Sequence, residues 1–403
     1  MSHRVAVVGA GTAGAAVAIA LARAGHAVTV FERVAEPGPV GAGITIQPTG
    51  QAALAQLGLL DEIATASAPI DRLTCYRANG KILVDLPYAL IDPALRGLGT
   101  HRGVLFDALF RALRATAATV TCGVHIAGTE LVGDGRVVID DRGERHGPFD
   151  LVIAADGGVC ELHRAAPRVR SREYPWGALW FVAEDPGFSP ERRIYQIVDG
   201  AHTLLGFLPT GVVDGKQVVS LFWSIRADRV DAWRAAGMAP WRDRVLALEP
   251  RAEAIFDQLH DLGAVRFARY RDVAMKPWHG DRIVFIGDAA HATSPQLGQG
   301  ANLVIDALAL ADAIAAAPSV NAALAAYSAA RLRHLQYYQF ATRALTPWFQ
   351  SDSRWIGWLR DRIFPTSRWL SPLRKRMTRT MVGIDRGLIR RPLPTKDLPR
   401  LTC

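Results

Sequence analysis

The sequence predicts an α/β fold in three parts: a parallel-sheet domain beginning at the N-terminus, an antiparallel sheet inserted into it, and a C-terminal helical region. Three observations carry this expectation. An apolar strand, a glycine turn, a helix and a second strand follow one another at the start of the chain. Between about 168 and 272 the pattern changes to short β-type runs separated by turn residues. Beyond Ala301 the chain becomes alanine-rich and then reads as long helix.

Composition agrees with a packed protein. A chain of 403 residues makes one large or two modest domains. Hydrophobic residues make up 50% and charged residues 21%, which excludes disorder as the dominant state. No run of about 18 apolar residues occurs, so no transmembrane helix is expected. The apolar stretch after Ala301 carries Asp306 and Asp312 and reads as a core helix. Arg4 runs straight into a strand, so no signal peptide is read. Cys75, Cys122, Cys160 and Cys403 are scattered without metal-ligand spacing. That predicts a cytoplasmic chain with free thiols and no metal site. The net charge is +9, with much of the excess at Arg374, Lys375, Arg376, Arg379, Arg386, Arg390, Arg391, Lys396 and Arg400. No nucleic-acid-binding motif accompanies it, so nucleic acid is not an expected partner.

The first element is Arg4-Val5-Ala6-Val7-Val8, a β-branched run suited to a buried parallel strand. Gly9-Ala10-Gly11-Thr12-Ala13-Gly14 follows at once and opens a helix that runs to about Ala24, where Gly25-His26 ends it. Ala27-Val28-Thr29-Val30-Phe31 is the second strand, and Glu32 stands at its end. This order makes a Rossmann-like βαβ unit, in which glycines let a dinucleotide pyrophosphate approach the backbone. Glu32 lies about 20 residues beyond the glycines, where a carboxylate accepts hydrogen bonds from ribose hydroxyls. It would repel a 2′-phosphate, which disfavours NADP at this position. The motif alone does not separate NAD from FAD. Gly38, Gly41 and Gly43 then precede Ile44-Thr45-Ile46-Gln47-Pro48. They form either a plain surface loop or a segment folded over an extended ligand.

Far along the chain, Arg282-Ile283-Val284-Phe285-Ile286 reads as a strand. Gly287-Asp288-Ala289-Ala290-His291 follows, with Gly298, Gly300, Ala301 and Asn302 leading into the alanine-rich helix. Such a turn supplies free N–H groups and the positive end of a helix dipole to an electron-rich ligand. A ligand gripped by both ends of this chain is long, and FAD fits.

With these motifs in order, the chain resembles the single-component FAD-dependent aromatic hydroxylases, the monooxygenases related to p-hydroxybenzoate hydroxylase. The resemblance rests on Gly9 to Gly14 with Glu32-Arg33, on Asp150-Leu151-Val152-Ile153-Ala154-Ala155-Asp156-Gly157, and on Gly287-Asp288 with its glycine-rich extension. Arg102-Gly103-Val104-Leu105 resembles the family's arginine-led helix. The resemblance implies that Asp288 binds the ribityl chain of FAD. It places the backbone of Gly300, Ala301 and Asn302 at the flavin ring, and it has Arg102 help to hold the cofactor; a surface ion pair is the other reading of Arg102. The cofactor-contact candidates are thus Gly9, Gly11, Thr12, Ala13, Gly14, Glu32, Arg33, Gly43, Arg102, Asp156, Gly287, Asp288, Gly300, Ala301 and Asn302. No catalytic side chain is assigned, and His291 is read as structural. The second motif departs from the family pattern: Cys160 stands where serine is usual and His163 where arginine is usual, with Arg164 next. This leaves the detailed nicotinamide contacts open. Nothing marks Cys160 as reactive, and a buried structural thiol is the expected reading.

The resemblance implies an FAD-binding domain of 1–70, 99–166 and 274–320, a substrate-binding sheet domain of 71–98 and 167–273, and a helical region of 321–403. Within the sheet, runs at 177–183, 193–198, 203–208 and 217–223 read as strands, with helices around 230–236 and 241–248. Trp180, Phe181, Tyr195, Phe207, Phe222 and Trp223 are candidates to line a pocket or, in alternation, to fill the sheet's core. A helix over 321–345 is expected to end at Thr346-Pro347. The aromatic, basic tail beyond it either packs inward or meets a membrane surface.

The function implied by the resemblance is monooxygenation. NADPH or NADH reduces FAD, O2 adds at flavin C4a, and the hydroperoxide hydroxylates a small aromatic or otherwise electron-rich substrate. A flavin halogenase, an isoprenoid reductase and a non-catalytic flavin redox sensor are the alternatives. The spacing Trp176-Gly177-Ala178-Leu179-Trp180 does not match the halogenase signature.

Overall fold

A computed structural model describes residues 2–38, 41–298, 302–385, 392–395 and 398–400. The first strand, Arg4–Val8, lies inside a six-stranded sheet. It is flanked in parallel by Ala27–Glu32 and Leu151–Ala154, with Val7 opposite both Val30 and Ile153. Ile283–Phe285 pairs in parallel with Leu151–Ala154. The sheet therefore sets Gly9, Asp156 and Gly287 just beyond the C-terminal ends of neighbouring strands, where open α/β sheets bind ligands.

The helix Thr12–Arg23 is buried on most of its surface because alanine, valine, isoleucine and leucine occupy every face. Gly25 takes φ +85°, and His26 N–H donates to the Leu21 carbonyl at 3.1 Å, which stops the helix in a left-handed cap. There are two small three-stranded sheets as well. Gly43–Ile46, Gly97–His101 and Ala68–Ile70 form one; the meander Ile126–Val132, Gly135–Asp140, Arg145–Phe149 forms the other.

The inserted sheet has seven strands in the order Arg266–Met275, Val169–Glu184, Lys216–Arg226, Thr203–Val213, Arg193–Asp199, Arg72–Arg77, Ile82–Pro87. Its pairs are antiparallel except Arg193–Asp199 with Arg72–Arg77. Those two strands belong to segments far apart in sequence, so a long connection permits the parallel pairing.

Each face of this sheet has its own cover. Leu205, Phe207, Leu221 and Trp223 pack with Trp241, Val245, Ile255 and Phe256 of the short helices after the sheet. On the opposite face, Val198, Leu204 and Leu208 pack with Phe349, Met381, Val382 and Ile384 of the C-terminal region. The tail therefore packs one side inward.

The tail begins with the helix Val320–Phe349, which passes through Pro347. Thr346-Pro347 does not end it as expected. A proline this late forfeits only one backbone donor. Gln350 N–H closes the last turn on the Thr346 carbonyl at 2.8 Å, and Phe349 is buried. The helices Arg354–Ile363 and Ser371–Val382 follow.

Candidate functional site

The glycine turns carry the first, second and third motifs into contact. Gly9 has φ +97°, and a Cβ there would lie 2.7 Å from the Ala155 carbonyl oxygen and 2.9 Å from Asp156 Cα. A Cβ on Gly14 would lie 1.9 Å from the Gly9 carbonyl oxygen. The first turn is thus seated on the second motif at a spacing that only glycine allows. Gly287, at φ +61°, comes down on the same helix: its Cβ would lie 2.9 Å from that of Ala13.

Gly11 caps the Thr12–Arg23 helix with no side-chain hydrogen bond, so no side chain covers the first-turn amides of Thr12, Ala13 and Gly14. The Glu32 carboxylate accepts from Ala10 N–H at 2.8 Å and Val34 N–H at 3.0 Å. Each oxygen keeps acceptor capacity for a ribose hydroxyl. Arg33 is exposed beside it. Arg102 opens the helix Arg102–Arg114, its N–H donating to the Ala42 carbonyl at 3.1 Å. His101 caps that helix by accepting from Gly103 N–H. The glycine segment lies directly on Arg102, since a Cβ on Gly41 would meet its Cδ at 2.9 Å. Gly43 turns toward the inserted sheet instead, where its N–H donates to Ser220 Oγ at 2.9 Å.

In the third motif, Gly287 caps the short helix Asp288–His291, and Asp288 is exposed at its first position. Gly298 approaches the first domain, with a Cβ position 3.2 Å from Gln47 Nε2. Asn302 is buried at the start of the helix Asn302–Ala316. Gly300 and Ala301 lie outside the described residues.

Behind the turn sits Asp306, fully buried. Its Oδ2 accepts from His291 Nε2 at 2.5 Å and from Gly287 N–H at 3.2 Å, while Oδ1 accepts from Arg331 Nε at 2.8 Å. Burial alone would raise this carboxyl, but His291 and Arg331 outweigh it and hold it below the ordinary carboxylate value. His291 is therefore an anchor of the turn. In sequence Asp306 is only a charge within a core helix, and Arg331, on a helix far from the motif, carries no signal.

The departures in the second motif have structural roles. His163 Nε2 donates to the Ala289 carbonyl at 2.7 Å, tying the second motif to the third. Burial, reinforced by the neighbouring Asp156, pushes the Cys160 thiol far above its ordinary range, so it is an inert buried thiol. Burial also raises Asp156, partly offset by hydrogen bonding from Cys160. Asp156 Oδ1 and Ser294 Oγ are buried without a hydrogen-bond partner from the protein. Cys75, Cys122 and Cys160 are free thiols; Cys403 lies outside the described residues.

The candidate pocket aromatics divide by strand alternation. Phe207 and Trp223 belong to the core on the helix-covered face, with Phe181 and Tyr195 packed against it. Trp180 and Phe222 contact each other with tilted rings, their centres 4.9 Å apart. Gly206 leaves room for Phe222, whose Cζ would stand 2.0 Å from a Cβ there. Tyr270 joins this pair: Trp180 and Arg102 both lie close enough to act on its phenol. Burial pushes the Tyr270 phenol up to about 12, against the opposing effects of Trp180 and Arg102. Tyr174, raised by burial and by Asp272, lies beside Thr293 and Ser294. Tyr174 and Tyr270 were missed because their strands read as unexceptional until the sheet folds against the third motif.

Asp140, Glu144 and His146 are the one grouping of metal-type donors among the described residues. The Asp140 carboxylate already accepts from Arg142 N–H and Glu144 N–H, which accounts for the cluster as a turn.

An elongated dinucleotide fits this set: uncapped helix amides, glycine cradles, carboxylates at both ends and buried polar atoms lacking partners. Comparison with known proteins agrees. Residues 2–339 match the family described as FAD binding domain. Kynurenine 3-monooxygenase of Salinispora arenicola is 31% identical over 359 residues, covering 82% of this chain and 77% of the relative. 3-Hydroxybenzoate 6-hydroxylase of Klebsiella oxytoca is 27% identical, covering 85% and 87%. The structure of Klebsiella pneumoniae HpxO with FAD and uric acid superposes with TM-score 0.74 at 22% identity, covering 94% of this chain and 97% of that one.

Proposed function

This chain belongs to the FAD-binding-domain family of single-component aromatic hydroxylases, and from that premise we propose how its own residues serve an FAD-dependent monooxygenase. The observation that carries the reading is the seating of the Gly287 turn on Ala13, which joins the first and third motifs in one site.

In this proposal the amides of Gly11, Thr12, Ala13 and Gly14 hold the pyrophosphate of FAD, while Gly9 gives the turn its close approach. Glu32 accepts from the ribose, with Arg33 beside it. Asp156 and Asp288 take the middle of the cofactor, Asp288 on the ribityl chain. Gly287 permits that approach, and Gly300, Ala301 and Asn302 meet the flavin ring. Arg102 and the segment ending at Gly43 close over the opposite side.

Bound FAD supplies the redox chemistry, accepting a hydride from NADPH or NADH and delivering one atom of O2 to the substrate while the other leaves as water. Trp180 and Phe222 offer an apolar wall for an aromatic substrate. The Tyr270 phenol, kept protonated at neutral pH by burial, orients a polar substituent on that ring. Covering this face excludes water from the reacting atoms. The free thiols support a cytoplasmic setting, and the basic, aromatic composition of the tail supports peripheral contact with a membrane. No helix among the described residues is long and apolar enough to cross one.

The test is substrate-stimulated NAD(P)H oxidation by the purified flavoprotein, with product mass measured. A gain of one oxygen atom is expected. Failure of a broad panel of phenols, quinolones and polyketide aromatics to stimulate NAD(P)H oxidation would favour the redox sensor. Halogenase and isoprenoid-reductase chemistry has no counterpart in the two matched relatives named above as a monooxygenase and a hydroxylase.

A further inference from the structure

The helix Arg354–Ile363 is amphipathic in the reverse sense to an ordinary surface helix. Its inward face is Gly357 and Arg360. A Cβ on Gly357 would lie 2.9 Å from Ala201 N, and Arg360, 0% exposed, donates to the Trp348 carbonyl at 3.0 Å. Its large apolar side chains, Trp355, Trp358, Leu359 and Ile363, point outward at spacings of three and four residues, which places them on one stripe. Trp355 is 77% exposed. The exposed apolar series continues through Trp369, 85% exposed, to Leu370 and Leu373. Aggregated exposed aromatics of this kind mark an interaction surface.

Charge identifies the occupant. From 354 to 379 the chain has eight basic residues and one acidic residue, Asp361. Arg354, Arg362, Arg368 and Lys375 are exposed among the aromatics. The Arg362 guanidinium lies 3.5 Å from the centre of the Trp358 ring. Tryptophans bordered by arginines match the boundary between lipid acyl chains and anionic headgroups. A partner copy of this chain would bring the same positive charge and be repelled.

We propose that this outward face docks on an anionic lipid surface, with Trp355, Trp358 and Trp369 entering the headgroup boundary and Arg354, Arg362 and Arg368 meeting lipid phosphates. The inference rests on the peripheral membrane contact proposed above and assigns the face that makes it. The same segment carries Phe364, which packs with Trp348 and Phe349 over the sheet. Docking therefore sets the cover of the substrate-facing side against the bilayer.

The test is co-sedimentation of the full-length FAD-loaded protein with phosphatidylcholine vesicles, with and without about a quarter phosphatidylglycerol. Binding is expected to the anionic vesicles, weakening as salt rises. The triple variant Trp355→Ser, Trp358→Ser, Trp369→Ser should bind at least about tenfold more weakly, as loss of one of two membrane signals requires. Arg354→Gln with Arg362→Gln and Arg368→Gln should remove the preference for anionic vesicles. Flavin content and turnover in solution serve as folding controls. No binding by the parent protein would overturn both this assignment and the peripheral contact. Parental binding that survives the tryptophan changes would overturn the assignment alone. A parental dimer that dissociates in the triple variant, without vesicle binding, would identify the face as an interface between copies and overturn the proposal.

Discussion

Replacing Asp306 with alanine should destabilise the protein more than other changes to its charged residues. Three donors converge on this carboxylate: His291 Nε2, Arg331 Nε and Gly287 N–H. The side chain is 0% exposed, and the Arg331 side chain retains only 9% exposure. Removing the carboxylate leaves a guanidinium in the interior without its counter-ion. Breaking a buried pair from one side costs about 3–5 kcal/mol, and the separate hydrogen-bond losses are contained within that figure. The unfolding equilibrium should move by about a hundredfold to several thousandfold. Loss of the bond to Gly287 N–H also loosens the turn bearing Asp288, so FAD affinity should fall by about 5- to 30-fold. Urea unfolding of the holoprotein at fixed excess FAD gives the first quantity, and flavin fluorescence titration the second. Asp312→Asn, on the exposed side of the same helix, should stay within about 0.5 kcal/mol of the parent. Combining Asp306→Leu with Arg331→Met should recover part of the loss, because no unpaired guanidinium remains. An Asp306→Ala protein within about 1 kcal/mol of the parent, with unchanged FAD affinity, would refute the reasoning.

The depressed Asp306 carboxyl gives a pH signature. Its contribution is fully present above the unfolded value near 4 and declines as pH falls through the lower folded value. The stability gap between the parent and Asp306→Asn should be flat from about pH 5 to 8 and shrink below about pH 4, as followed by urea midpoints. Asp288→Ala should weaken FAD retention about tenfold or more in a folded protein; unchanged flavin content and affinity would remove Asp288 from the proposed site. Gly14→Ala forces a methyl onto the Gly9 carbonyl, so a loss of about 3 kcal/mol or more and poor flavin loading are expected in thermal and fluorescence assays. Tyr270→Phe should retain flavin and fold while lowering kcat/KM about 5- to 30-fold for substrates bearing a polar ring substituent, and little for those without one.

Much of this protein was written in local chemistry. The run Arg4-Val5-Ala6-Val7-Val8, the glycines behind it and Glu32 specify a βαβ unit because strand, turn and helix preferences act over a few residues. The Gly287 turn was legible for the same reason: a glycine-rich turn after a strand and before a helix is a local arrangement. Other features required the chain to fold. Pro347 reads as a helix stop, yet Phe349 must be buried and the helix continues past it. The pocket aromatics have similar strand settings, and the sheet's two covers decide that Phe207 belongs to the core while Trp180 and Phe222 face Tyr270. Asp306 and Arg331 meet only because two helices cross behind the Gly287 turn. The residue order alone therefore determined the cofactor class and the strands and turns that build its domain. Tertiary structure decided which buried charges anchor the Gly287 turn, which aromatic residues meet Tyr270 and which side of the Arg354–Ile363 helix faces outward. Pairing, burial and facing depend on contacts between residues far apart in the chain, and no local preference encodes them.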